Sequence, residues 1–161
     1  VMPRMKARNN ATDALMRSSQ TRFISVTAPG ETSLREAHHM RELMRDQGLP
    51  FAGFVVNRVV VAPPGPRDDA GHLELVGEAA EHLQATGMSA DRAQDLARRL
   101  GEGARHLQFM ERADAAQIAE LSALTGRHGF CAVAPQLEHD IHTLSALSEL
   151  GEQLVASVSS K

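Results

Sequence analysis

Two hydrophobic periods run through this chain, and the switches between them mark its elements. Residues 51–60, Phe-Ala-Gly-Phe-Val-Val-Asn-Arg-Val-Val, form a nearly continuous apolar run broken only by Asn57-Arg58. A run rich in Val and Phe, bounded by Gly/Pro signals, predicts a strand buried on both faces of a parallel sheet. Arg22–Thr27 is a shorter strand candidate ended by Ala28-Pro29-Gly30, and Phe130–Ala134 is a third, ended by Pro135. Between the first two, Leu34, Ala37, Met40, Leu43 and Met44 recur at helical intervals until Gly48-Leu49-Pro50 stops them. Ser33, three residues before Glu36, has the spacing of a capping box. Strand, helix and strand with short links predict a βαβ unit, which requires a parallel pair and a right-handed crossover.

Outside that unit the pattern is helical. Residues 5–19 carry Ala7, Ala11, Leu15 and Met16 in a weak amphipathic pattern. Pro63-Pro64-Gly65-Pro66-Arg67-Asp68-Asp69 is a loop by every local rule. From His72 to Thr125 one stripe runs through Leu73, Val76, Ala80 and Leu83, and Gly87-Met88-Ser89 breaks it. A second runs from Ala93 through Leu107, continued by Ile118, Leu121 and Leu124. Gly101 and Gly103 weaken that helix by about 1 kcal/mol each relative to Ala, so a kink or break is expected there. Gly126-Arg127-His128-Gly129 reads as a turn, and from about Ile141 the repeat of Leu144, Leu147, Leu150 and Leu154 predicts a terminal helix.

Composition narrows the function classes. A length of 161 residues with 42% apolar residues allows one domain, or part of one, with a real core. The formal charge of −3 gives no basic face, so nucleic acid is not expected as a partner. Nothing resembles a membrane span or the apolar core of a signal peptide, which makes the cytoplasm the expected compartment. The single cysteine, Cys131, excludes an internal disulfide and a zinc site with two Cys ligands. Its apolar neighbours make it a core filler and a poor nucleophile.

The candidate chemistry is sparse. Ala28-Pro29-Gly30-Glu31-Thr32-Ser33 stands between a strand and a helix but has one glycine and no lysine, so it reads as a turn and not a phosphate loop. Among the eight histidines, His38 and His39 are adjacent and point about 100° apart on a helix. His139 and His142, with Glu138 and Asp140, are a conceivable metal pair but are more simply helix-start residues, and no metal ligand is assigned. Asn57 is the stronger suspect, because ligands of open parallel sheets bind outside the carboxyl ends of strands. Its carboxamide either satisfies a local backbone group or reads a ligand edge, and as donor and acceptor it matches adenine's N6/N1 or N6/N7 edge.

Three stretches taken in order add a resemblance: Val26-Thr27-Ala28-Pro29, then Ser33-Leu34-Arg35-Glu36-Ala37, then Gly53-Phe54-Val55-Val56-Asn57-Arg58-Val59. With Ala134-Pro135-Gln136-Leu137-Glu138-His139-Asp140-Ile141-His142 and the closing leucine helix, they resemble the C-terminal half of the ArsA-like ATPases. That family includes anion-transporting and tail-anchored-protein targeting members. The resemblance covers nearly the whole chain, with residues 64–127 matching only as a helical region. It implies a deviant P-loop fold, a parallel sheet flanked by helices, incomplete in this chain. Residues 1–161 would be the C-terminal part of one ATPase domain, with 72–127 a helical subdomain for partner or client contact, inserted between the last two strands. Asn57 with Arg58, and the loop Pro135, Gln136 and Leu137, would wall the adenine of ATP or ADP. Glu36 matches a residue usual in the family's helix and takes no catalytic role.

The departures matter as much. Gly30-Glu31 stands where the family has Glu-Pro, and the Cys-x-x-Cys of the eukaryotic targeting members is absent. The family's lysine-bearing phosphate loop, its switch carboxylate and its Mg²⁺ ligand all lie N-terminal to the matching region, so none is in these residues. Phosphoryl transfer depends on such groups, so this chain alone is not expected to hydrolyse ATP, and no catalytic residue is assigned. A chain opening at Val1 is accordingly expected to be a piece. Three strands are few for a doubly wound sheet, where about five or six are usual, and they leave an open edge unless another segment or chain supplies neighbours. The implied partners are the protein's own N-terminal half or a second subunit, in a homodimer or a pair of homologues. A hydrophobic or membrane-protein client would place it at the periphery of a membrane complex. The rival reading is a non-enzymatic dimerisation or interaction module that keeps the fold without nucleotide. A third is another P-loop relative, such as a partitioning ATPase or a synthetase ending a strand in Val-Asn-Arg.

Overall fold

The computed structural model describes residues 2–126, 129–137 and 140–159. Arg127-His128 of the expected turn and Glu138-His139 of the candidate metal pair lie outside the described residues. In chain order the elements are α1 (Met2–Met16), β1 (Phe23–Thr27), α2 (Glu31–Asp46), β2 (Phe51–Val59), α3 (Asp69–Ala85), α4 (Ala90–Leu124), β3 (Phe130–Pro135) and α5 (Leu144–Ser159). The protein is α/β, with a three-stranded parallel sheet in the order β1-β2-β3 flanked by helices. The apolar run 51–59 takes the central position, the one that needs apolar side chains on both faces. No helix among the described residues is long and apolar enough to cross a membrane.

The chain forms two compact units: residues 1–59 with 114–161, and residues 60–113. The first holds the sheet. Register places Phe54 beside Ser25 and Cys131, and Val56 beside Thr27 and Val133, so these side chains share one face. Phe54 and Val56 are fully buried there in a cluster with Ala37 of α2, Leu121 of α4 and the buried Cys131. On the far side α5 packs against β3, and its Ser157 hydroxyl accepts a 3.0 Å hydrogen bond from Val133 N–H.

The start of α2 differs from the expected capping box. The helix begins at Glu31 behind Gly30, whose φ of 136° favours glycine, and no side chain caps it from within the turn. Gln117 of α4 instead accepts from Gly30 N–H through its Oε1, and His38 Nε2 lies 3.0 Å from Glu120 Oε1 further along the same two helices. Ser33 therefore sits inside the first turn. A tertiary acceptor has replaced the local one.

The second unit contains α3 and the first two-thirds of α4, which runs unbroken through Gly101 and Gly103. The expected break is absent, and Gly101 has a packing role. A Cβ there would lie 2.6 Å from Val76 Cγ2 and 2.9 Å from His72 Cε1, whereas one at Gly103 would meet nothing. The glycine lets α3 approach, which keeps His72 and Ala80 buried. Gly101→Val should therefore destabilise the protein by about 1–3 kcal/mol through overpacking, while Gly103→Ala should stabilise it by about 0.5–1 kcal/mol. Equal effects in urea denaturation would show that the helices do not meet at Gly101.

The loop after β2 is fastened within the same unit. Glu111 Oε1 accepts from Ala62 N–H at 3.2 Å and its Oε2 takes 2.8 Å from Arg67 Nη2. The Arg67 hydrogen bond first, and the Ala62 N–H second, hold the Glu111 carboxyl below its usual value of 4.5. A depressed carboxyl contributes stability that is present above the unfolded value and lost as pH falls through the folded one. Amide exchange at Ala62 should accelerate, relative to the global rate, as pH drops below about 4.5. Glu111→Gln should abolish that pH dependence, and its persistence would locate the titrating group elsewhere.

Candidate functional site

β2 does not end as a regular strand. Val56 pairs with Val133 and Val59 with Pro135, so Asn57 and Arg58 together oppose the single residue Ala134. This is a β-bulge, a device that re-aims side chains and bends its strand. Arg58 carries the extra turn at φ 62°, and it is the one non-glycine residue with positive φ among the described residues. Asn57 Oδ1 accepts from Arg58 N–H at 3.0 Å, which steadies the turn from within. Of the two readings of Asn57, the local one is met by its oxygen. Its Nδ2 donors have no partner among the described residues, and the oxygen keeps a second lone pair. Both side chains are exposed.

The loop after β3 is brought to the same place by the backbone. Gln136 N–H donates to Val59 O at 2.8 Å, continuing the β2–β3 ladder one residue past Pro135. Asn57, Arg58, Pro135, Gln136 and Leu137 consequently line one cleft of about 610 Å³, outside the carboxyl ends of β2 and β3. That volume falls in the range of roughly 300–1,000 Å³ typical of small-molecule sites. Asp140 and Ile141, ahead of α5, and Leu150 within it complete the wall.

The first cleft offers an amide, a guanidinium, a carboxylate and apolar surface. Among the described residues its lining includes no Ser, Cys or His, and the groups it presents can bind and orient a ligand. Opposite charges at Arg58 and Asp140 and the half-exposed Leu137 suit a flat, polar-edged ligand. A second cleft of about 500 Å³ shares Asn57 and Arg58 and is bordered by Thr27, Ala28, Ser33 and Glu36. The described residues contain no group of three or more His, Cys, Asp or Glu placed to hold a metal ion. His142 is exposed, and His139 lies outside the described residues.

Asp140 was not singled out from the sequence as a cleft residue, because nothing local distinguishes it from a helix-start acid. Gln117, which fixes the turn after β1, is 87 residues from its partner and gives no sequence signal at all.

No protein-family model matches the chain, and no curated protein matches it.

The left-handed conformation costs an L residue about 1–2 kcal/mol, part of which returns as glycine's larger unfolded-state entropy. Arg58→Gly should thus raise stability by about 0.5–1 kcal/mol. A lowered urea midpoint would mean that the guanidinium contributes more to the fold than its backbone strain takes away.

Proposed function

We propose that this chain is the C-terminal portion of an ArsA-like ATPase of the deviant P-loop type, and that its first cleft is the adenine-side wall of the nucleotide site. The observation that carries the reading is the convergence of Asn57, Arg58 and the Pro135–Leu137 loop on one cleft, although 78 positions separate Asn57 from Pro135 in the sequence. The order of the three sequence stretches that resemble the family supports it independently.

The residues fit the base end of ATP or ADP. The Nδ2 donors of Asn57 suit a ring nitrogen of adenine, and its second oxygen lone pair suits the exocyclic amine. Leu137, 41% exposed, supplies apolar surface against which a flat base can pack. Phosphate binding, Mg²⁺ and hydrolysis belong to an N-terminal half, carried by the same protein or by a second subunit. The site is cytoplasmic in this reading, and the helical unit contacts a hydrophobic or membrane-protein client.

One observation favours a role for the helical unit even without nucleotide. A cleft of about 260 Å³ within it is lined by Pro63, Pro64, Leu75, Val76, Leu100 and Ala104 among others, nearly all apolar. An interaction module with an empty nucleotide wall would use the same surface.

Titration of the full-length protein with ADP and GDP separates these readings. The parent should prefer ADP, and Asn57→Ala should erode that preference by about 1–3 kcal/mol, the cost of a lost buried polar pair. Indistinguishable affinities in parent and variant would remove the adenine assignment and leave the interaction module.

A further inference from the structure

At the end of the sheet away from the candidate site, one arginine is held in place with no acidic partner. The Arg41 guanidinium lies over the Phe51 ring, 4.8 Å from its centroid, where β2 begins. Stacking of this kind fixes the planar fork of an arginine without using any of its donors. Arg41 makes no hydrogen bond or ion pair among the described residues, and its Nε is buried without an acceptor. Buried polar groups are nearly always paired, and an unpaired one asks for an explanation such as an ion. With Nε shut away, the Nη nitrogens of this part-buried side chain are the ones left to meet a partner.

Arg41 lines a cleft of about 160 Å³ with His38, Glu42, Arg45 and Leu124. The four α2 residues stand at i, i+3, i+4 and i+7, which is one face of the helix, and Leu124 is the last residue of α4. His38 is engaged with Glu120. Arg45 gives Nε and Nη2 to Asp46 in an exposed ion pair and keeps Nη1 uncommitted. Glu42, like Arg41, has no hydrogen bond or ion pair among the described residues. The wall therefore offers two guanidiniums and one unpaired carboxylate. An anion needs both guanidiniums here, because the carbonyl end of α2 is the negative end of its dipole.

We infer that this cleft binds inorganic phosphate, with Arg41 and Arg45 donating to its oxygens and Glu42 accepting from its P–OH group. Guanidinium forks match the oxygens of phosphate in geometry as well as charge. Glu42 selects among oxyanions. At neutral pH phosphate keeps at least one proton, so it accepts from the arginines and donates to the carboxylate at once. Sulfate and carboxylates keep none and would set a bare oxygen against Glu42, a repulsive element of the kind that gives specificity. The volume lies well below the roughly 300–1,000 Å³ of larger small-molecule sites, which suits one oxyanion and leaves out a nucleotide. The site stands apart from the nucleotide reading and does not depend on it, since Phe51 opens β2 and Asn57 lies near its close.

Calorimetric titration of the full-length protein with sodium phosphate and, at matched ionic strength, with sodium sulfate tests the inference. The parent should bind phosphate about tenfold more tightly than sulfate, or better. Arg41→Gln should weaken phosphate binding about tenfold or more, and so should Arg41→Lys, which keeps the charge but loses the fork. Glu42→Gln, at an exposed position, should fold as the parent does and raise the affinity for sulfate until the two anions bind alike. That comparison decides the matter even if the Arg41 variants fail to fold. Asn57→Ala should leave phosphate binding unchanged, so a failed adenine assignment and a failed phosphate assignment give different results. No phosphate binding by the parent at millimolar concentration, or binding undiminished in Arg41→Gln, would overturn the inference. Equal affinity of the parent for phosphate and sulfate would overturn it too, and would leave only an adventitious anion on two arginines.

Discussion

Everything in the sheet-bearing unit depends on β2 being the central strand, paired on both edges until it reaches Val56. A strand in that position leaves its backbone no choice of partner, so its N–H and C=O groups must be met by β1 and β3 in register. Phe54 and Val56 anchor that register, because a slip of one residue would turn both side chains out of the cluster with Ala37 and Leu121. The cost of such rigidity is met where the strand ends. Two residues must leave the ladder and Val59 must rejoin it, and the bulge at Asn57 and Arg58 is the result. The candidate site is thus made by the same constraint that makes the core. Its polar side chains stand at the one place where the central strand is released.

The loops around the site are held by long-range contacts. Gln136 is tied to Val59 through the backbone, and Gly30 is tied to Gln117 through a side chain of a helix far away in sequence. The Gln117 contact explains why α2 begins three residues earlier than its own sequence suggests. A side-chain acceptor from α4 already meets the Gly30 N–H, so Ser33 is free to sit within the first turn. The last turns of α4 contribute Ile118, Leu121 and Leu124 to the packing around the sheet, while its earlier part belongs to the helical unit. That division leaves α4 one continuous helix.

The strands and the βαβ unit were legible in the sequence because burial on both faces demands an uninterrupted apolar run, and Val55-Val56 between Gly53 and Val59 has few other uses. The break between α3 and α4 was legible at Gly87, whose φ of 95° matches the turn expected there. Gly101 was misleading for a physical reason. Intrinsic propensity penalises glycine wherever it stands in a helix, and only the neighbouring helix shows that Val76 and His72 need its missing Cβ. Of the cleft, Asn57, Arg58 and the Pro135–Leu137 loop could be singled out in advance, through strand ends and a family likeness. Asp140 and the positive φ of Arg58 could not. Neither leaves a mark on composition or periodicity, since both follow from how β2 and β3 come together.

The contrast between the edges of the sheet extends the same logic outward. Parallel strands are ordinarily covered on every side, since their apolar runs have no solvent-facing alternation to fall back on. β2 and β3 obey this, with Ala132 and Ala134 buried and Val133 N–H closed by Ser157. β1 does not. It alternates Ile24 and Val26 with Ser25 and Thr27, so one face can tolerate α2 and part-burial while the other waits for apolar cover. A strand whose exposed residues were meant for water would carry charge at those positions, and this one carries isoleucine and valine.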